Sequence, residues 1–403
     1  MRANLYLERY AWQDSIVPEY RPPKNLKTII VIPSFKEPQL LQALDSINKC
    51  YKPNGGLLIL VVINEPVETT YEISTTNREC LDSLKKYDSN YELVFTYQKL
   101  PKKKAGVGLA RKIGMDEAVR IFEKIDEDGV IICYDSDSLC EQNYLIEIEN
   151  HFLDQKTKAG IVFYEHQLNG PNKDLIIQYE LYLRYYISAL RFAKYPHAHQ
   201  TLGSCIVVRS STYQKLGGMN TRQAGEDFYF LNKVIPQGGF VEINTTTVYP
   251  SDRVSDRVPF GTGKAVEQLM LSKGSYQVYN PQIFEDLRSF FSQMESLVRK
   301  GTPILPDSIS NFLGNTVESD LEEIRRQTTT PQAFAKRFFG WFDAFKILKY
   351  VHFARDNHYP NVVLKEALRW LDGKTENTLF SEIPETQLAN LRTMDRKGLD
   401  QIK

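Results

Sequence analysis

Through Tyr164, short apolar runs alternate with amphipathic stretches. The apolar runs predict strands over 28–33, 57–63, 91–97, 130–134 and 160–164, each bounded by turn residues. The stretches between them carry apolar residues at helical spacing and predict helices over 38–49, 77–86, 106–125 and 142–154, the first opened by Pro38. Strand–helix alternation of this kind predicts an α/β fold with a mostly parallel sheet flanked by helices on both faces. After Gln167 the pattern changes. A long tyrosine-rich helix is predicted over 174–192, then a strand over 204–209, a turn at Gly217–Gly218, a helix over 226–234 and an extended run over 240–249. From about Thr262 onward the chain reads as helical. This gives a lead-in over 1–26 with no regular domain of its own, an α/β domain over 27–261 and a helical region over 262–403.

Composition narrows the function classes. The chain has 403 residues, with 50 basic and 50 acidic side chains and a net charge of zero. That balance gives no domain-wide basic face, so nucleic acid is excluded as the main partner. Five cysteines without paired spacing argue against a zinc site or a disulfide framework and for a reducing compartment. The opening residues lack an apolar core of signal-peptide length, and no run reaches the ~18 apolar residues of a membrane span. A cytoplasmic protein is therefore expected. The stretch 334–353, aromatic and lysine-containing, suits a buried bundle helix and is also where contact with a membrane surface would occur. The tyrosines of 179–192 suit core packing better than sugar stacking. Self-association is left open.

The candidate chemistry gathers at the predicted strand ends, where open α/β sheets bind ligands. The strand Val130–Tyr134 runs into Asp135-Ser136-Asp137. Alternate residues of an extended chain share a face, so both carboxylates can point the same way, and they repel unless a cation lies between them. Oxygen ligands in small number suit Mn²⁺ or Mg²⁺ with positions left for phosphate. The first strand ends Pro33-Ser34-Phe35-Lys36-Glu37, and the second ends on Asn64. Glu37 is placed to accept from ribose hydroxyls and Asn64 to read a base edge, although turn chemistry alone also accounts for both segments. Arg111, one turn inside a helix that follows Gly106 and Gly108, suits a phosphate. Glu226 and Asp227 open a helix and offer a general base. Arg253 and Arg257, in two Asp-Arg steps, suit a diphosphate, an anionic acceptor or a surface salt-bridged loop. His199, in a His-x-His run, is read as a loop or acceptor-pocket residue.

The order Ile-Pro-Ser-Phe-Lys-Glu (32–37), Ala-Arg-Lys-Ile-Gly (110–114), Tyr-Asp-Ser-Asp (134–137), Gly-Ser-Cys-Ile-Val-Val-Arg (203–209), Leu-Gly-Gly-Met-Asn (216–220) and Glu-Asp (226–227) resembles the family 2 glycosyltransferases of the GT-A fold. The resemblance covers roughly residues 27–255. It implies a nucleotide-diphosphate sugar donor and a hydroxyl-bearing acceptor, whether glycan, lipid-linked glycan or small molecule. It also implies a divalent metal, Mn²⁺ or Mg²⁺. By the same resemblance Glu37 meets the nucleoside and Asn64 the base. Asp135 meets the donor ribose, Asp137 the metal and diphosphate, and Asp227 is the catalytic base. Because most members invert, a single displacement is implied. Two departures stand out. Lys112 occupies a position where the family usually has Asn, and no Gln-x-x-Arg-Trp follows Asp227, which argues against a polymer-extruding synthase. A nucleotidyltransferase-like enzyme and a non-catalytic nucleotide-sugar-binding protein of the same fold are the alternatives.

Overall fold

The computed structural model describes residues 4–12, 14–223, 225–253, 267, 269, 276–299, 304–375 and 380–398. The chain divides into two compact units, residues 1–173 with 201–267, and residues 174–200 with 268–403.

The first unit is built on a mixed sheet. Its strands are β1 (Leu26–Ser34), β2 (Gly56–Pro66), β3 (Glu92–Leu100), β4 (Val130–Cys133), β5 (Leu139–Cys140), β6 (Ala159–Tyr164), β7 (Ile206–Arg209) and β8 (Phe240–Tyr249). Their order across the sheet is β3-β2-β1-β4-β7-β6-β8-β5. β1 pairs parallel with β2 and β4, β2 with β3, and β6 with β8. β7 runs antiparallel between β4 and β6, and β5 antiparallel to β8. The sheet is thus mostly parallel, as the alternation predicts, with antiparallel pairing on one side of β4. Continuous apolar runs explain the parallel half. Residues 57–63 of β2 are almost wholly buried, which requires cover on both faces.

That cover includes α2 (Leu40–Asn48), α3 (Tyr71–Leu84), α4 (Val107–Glu123), α5 (Tyr144–Leu153), α7 (Ser210–Lys215) and α8 (Glu226–Val234); α1 (Leu5–Arg9) and α6 (Lys173–Phe192) complete the helices up to Tyr249. α3 begins at Tyr71, earlier than the pattern predicts. Thr70 caps it by accepting from the Ile73 N–H, while its first turns are polar and exposed and so carry little apolar periodicity. α4 lies against β1 and β2. A Cβ on Gly114 would sit 2.3 Å from Val31 Cγ1, so helix and sheet approach this closely only with glycine there.

The lead-in contains α1, and its bonds run to α4. Asp116 is fully buried and accepts from Tyr6 Oη at 2.5 Å, Tyr213 Oη at 2.8 Å and the Trp12 N–H at 2.7 Å. Lys112 Nζ lies 2.9 Å from the same carboxylate. Glu117, also buried, accepts from Ser15 Oγ and the Ile16 N–H. Trp12 and Ile16 pack on the cluster of Val62, Leu100, Leu109, Ala110 and Ile113. Polar composition hides this docking in the sequence, because the anchoring groups are tyrosines and main-chain amides rather than an apolar run.

The second unit is mainly helical. α6 is tied to the helix Pro384–Lys397 by buried ion pairs: Arg184 and Arg191 to Asp395, and Arg392 to Glu180. Tyr185 is buried against Phe284 and Trp370, so this part of the tyrosine stripe is core. Phe338 and Phe342 are buried against Phe290, so these rings of the aromatic stretch are core. Two short strands, Gln277–Val278 and Val362–Val363, pair antiparallel within the region expected to be helical throughout. No helix among the described residues is long and apolar enough to cross a membrane.

Removing the Asp116 carboxylate would leave the Lys112 ammonium and two phenols without their acceptor in a buried site. Asp116→Ala is expected to lower the unfolding free energy by about 3–5 kcal/mol. Urea titration of the full chain checks this, and a loss below about 1 kcal/mol would mean that the network contributes little.

Candidate functional site

The polar residues of the site stand at the C-terminal ends of β1, β2 and β4. The bend after β1 puts Lys36 in the left-handed region at φ 48°, a conformation a lysine adopts only when its surroundings impose it. Asn77, fully buried on α3, imposes it. Its Oδ1 accepts from the Lys36 N–H at 2.9 Å, and its Nδ2 donates to the Asn64 carbonyl at 3.0 Å. Asn64 Nδ2 in turn donates to the Ser34 carbonyl at 2.9 Å. The side-chain amide of Asn64 thus bridges two strand ends. Asn77 was not singled out from sequence. It gave no signal, because the pattern starts this helix at 77, where an asparagine is an ordinary cap.

Glu37 follows the bend and is fully buried. Its carboxylate accepts from the Gln39 N–H at 2.8 Å and from Arg253 Nη2 at 2.5 Å. The same guanidinium lies 3.4 Å from Asp137 Oδ2. Arg253 therefore joins the end of β1 to the loop after β4, across 216 positions of sequence. Pro33 pairs in register with Val62 and is buried in the sheet, so its place is structural support for the bend.

The loop after β4 is a tight turn. The Ser138 N–H donates to the Asp135 carbonyl, and Tyr134 Oη donates to the Ser138 carbonyl. The Asp135 side chain is 37% exposed and that of Asp137 17%, whereas Ser136 and Ser138 are buried. Ser138 Oγ is buried without a hydrogen-bond partner among the described residues.

Arg111 brings the second acidic motif to the first. Its side chain is 2% exposed, with Nη2 2.6 Å from Asp135 Oδ1 and Nη1 bonded to Glu226 Oε1. Sequence reasoning gave this guanidinium to a phosphate. The structure turns it onto two carboxylates, because a charge so deeply buried needs fixed counter-ions. Burial opposes the Arg111 charge, but Glu226 and Asp135 outweigh it and hold the proton more tightly than usual. A Cβ on Gly203 would lie 2.6 Å from Arg111 Nη1, so glycine at this position makes room for the guanidinium. Lys112, one residue on, faces away toward Asp116 and Tyr6, which accounts for a lysine at this point of the motif.

Glu226 and Asp227 open α8 after Gly225, which takes φ 72°. Burial, opposed by Arg111 and aided by Asp227, raises the Glu226 carboxyl to about 7. Burial also raises Asp227, again against the pull of Arg111. The Phe228 N–H donates to Asp227 Oδ1 at 2.7 Å. The result is a pair of adjoining carboxyls that hold a proton more readily than free ones.

Of the remaining predicted residues, His199 belongs to the second unit, where its N–H donates to the His197 carbonyl. Arg257 lies outside the described residues. Among the described residues no three His, Cys, Asp or Glu side chains cluster to hold a metal ion. Asp135 and Asp137 are oxygen donors, the ligand type Mg²⁺ and Mn²⁺ prefer, and here each carboxylate faces a guanidinium, Arg111 and Arg253 respectively.

No family model and no curated protein matches the chain. Solved structures that resemble it include three crystal structures of S. aureus TarS 1-349, each at 12% sequence identity. The complex with UDP-GlcNAc gives a TM-score of 0.42 over 82% of this chain and 91% of that one. The structure without a named ligand gives 0.37 over 92% and 91%. The UDP complex gives 0.38 over 87% and 93%.

The raised Glu226 carboxyl has a consequence for stability. Its proton is held more tightly folded than unfolded, so its contribution is fully present below about pH 4.5 and is lost as pH rises to about 7. Glu226→Gln, which cannot ionise, should therefore gain stability relative to the parent chain as pH rises from 4.5 to 7. Urea midpoints of both proteins across this range check the sign, and a parent chain that gains on the variant as pH rises would show that Arg111 instead holds Glu226 ionised throughout.

Proposed function

We propose that the chain is a glycosyltransferase that moves a sugar from a nucleotide-diphosphate donor to an acceptor hydroxyl, with inversion. The observation that carries this reading is the bonding of Arg111 to both Asp135 and Glu226. It joins a carboxylate loop at the end of a parallel strand to a helix-opening Glu-Asp pair 91 positions later, giving one site a cation-binding part and a base.

In this reading Glu37 and Asn64 line the nucleoside side and Asp135 meets the donor ribose. Asp137, with Asp135, would hold a Mn²⁺ or Mg²⁺ ion, whose positive charge supports departure of the diphosphate. Asp227 takes the proton from the acceptor hydroxyl as the oxygen attacks the anomeric carbon. The raised proton affinity of Asp227 suits a base working near neutral pH. Glu226, locked to Arg111, orients the start of α8 and keeps Asp227 aimed. Arg253 neutralises Glu37 and reaches Asp137, and it is suited to turn onto the diphosphate when donor arrives.

The test is a thermal-shift screen of nucleotide diphosphates with and without Mn²⁺, followed by donor turnover. A ligand at 100 times its dissociation constant adds about 2.7 kcal/mol to folding stability, a rise of a few degrees. Asp137→Ala should abolish the Mn²⁺-dependent part of the shift, and an unchanged shift would remove the metal assignment. Asp227→Asn should keep donor binding and lose transfer by about 10²–10⁴-fold. Loss of donor binding along with rate would move Asp227 into the donor site.

A further inference from the structure

Cys50 and Cys140 face each other just beyond the carboxylate loop. Cys50 follows α2, and Cys140 ends β5, three residues past Asp137. Their Sγ atoms are 3.6 Å apart, although 90 positions separate them in sequence. The flanking chains are locked at this distance on both sides. The Tyr51 N–H donates to the Gln142 carbonyl at 2.8 Å. The Cys140 N–H donates to Ser46 Oγ at 2.8 Å, and Ser46 Oγ donates to the Cys140 carbonyl at 3.2 Å. Cys50 is buried and Cys140 half-buried. The other three cysteines differ. Cys133 and Cys205 are fully buried, and Cys133 donates to Met115 Sδ, while the Cys80 thiol donates to the Glu37 carbonyl.

We propose that Cys50 and Cys140 form an oxidative modification site that a hydroperoxide converts to an intramolecular disulfide. The Cys140 thiolate attacks the peroxide oxygen. The O–O bond breaks, and Cys140 becomes a sulfenic acid as the departing hydroxide or alkoxide takes up the proton the thiol released and leaves as water or an alcohol. Cys50 Sγ then attacks the Cys140 sulfur. The S–O bond breaks, and the departing hydroxide takes the Cys50 proton as water. Two thiols lose two electrons, and the peroxide gains them. Closure from 3.6 Å to the ~2.05 Å of a disulfide needs only a small inward movement of two side chains already in contact. The thiol environment agrees with this order. Burial works to raise Cys140, but hydrogen bonds from Cys50, Ser46 and Tyr134 outweigh it and hold this thiol below its ordinary range. The bond to Cys140, and then burial, raise Cys50.

The bridge would cross-link the end of α2 to the strand that leaves Asp137, closing a long loop. Such closure restricts the unfolded chain, so the oxidised protein should melt about 3–10 °C higher than the reduced one. The test treats the full chain with hydrogen peroxide, blocks remaining thiols, and maps disulfides by mass spectrometry without reduction. The expected result is a Cys50–Cys140 linked peptide, two fewer titratable thiols, and reversal by dithiothreitol. Cys140→Ser should remove the linked peptide and leave Cys50 as a thiol. If that variant does not fold, the mapping and the melting shift of the parent chain decide alone. A different pairing, a disulfide between two chains, or Cys140 oxidised to sulfonic acid beside an intact Cys50 thiol would each overturn the proposal.

Discussion

A buried guanidinium cannot stay charged and unpaired, and the first unit is arranged around satisfying one. Arg111 has two acidic neighbours, one from the loop after β4 and one from the first turn of α8. Each comes from a segment with its own reasons to be where it is, but neither segment fixes the position of the other. The guanidinium does so, because withdrawing either carboxylate leaves charge stranded away from water. The glycine at 203 and the close packing of α4 on β1 serve the same end. They set the depth at which the helix lies and leave a space of guanidinium shape beside it.

Sheet order explains how residues so distant in sequence meet. β7 lies antiparallel beside β4, so the chain arrives at the end of β4 from the opposite direction. The turn of 3-10 helix that precedes β7 therefore stands next to the strand end that carries Asp135. A purely parallel sheet would have sent that segment to the other edge. The antiparallel insertion thus sets the 203–205 turn beside the carboxylate loop, and α8 packs against that same turn.

β1, β2 and β4 were legible because they are buried on both faces and read as apolar runs. The Glu226–Val234 helix and the Phe240–Tyr249 strand were legible to the residue, since a glycine precedes each one. Candidate site residues were legible as types at strand ends, and Glu37, Asn64, Arg111, Asp135, Asp137 and Glu226 do stand together around those ends. Their bonds were not legible. Nothing in a sequence tells whether an arginine faces a ligand or a carboxylate 115 positions away. Asn77 was missed because its work is done by an amide inside a helix, and β5 because two residues carry no periodicity. The docking of the lead-in was not legible for a related reason. Its attachment uses phenols and main-chain amides, which leave no apolar pattern.

That attachment sets an order of events. Tyr6 bonds to Asp116, 110 positions later in the chain, and Asp116 also waits for Tyr213. During synthesis the Tyr6 hydroxyl has no native acceptor until α4 has emerged. Contacts of such long range form only after the loop between them has closed. The lead-in has its place only where α4 and the sheet are already formed, and its bonds act as a latch across them.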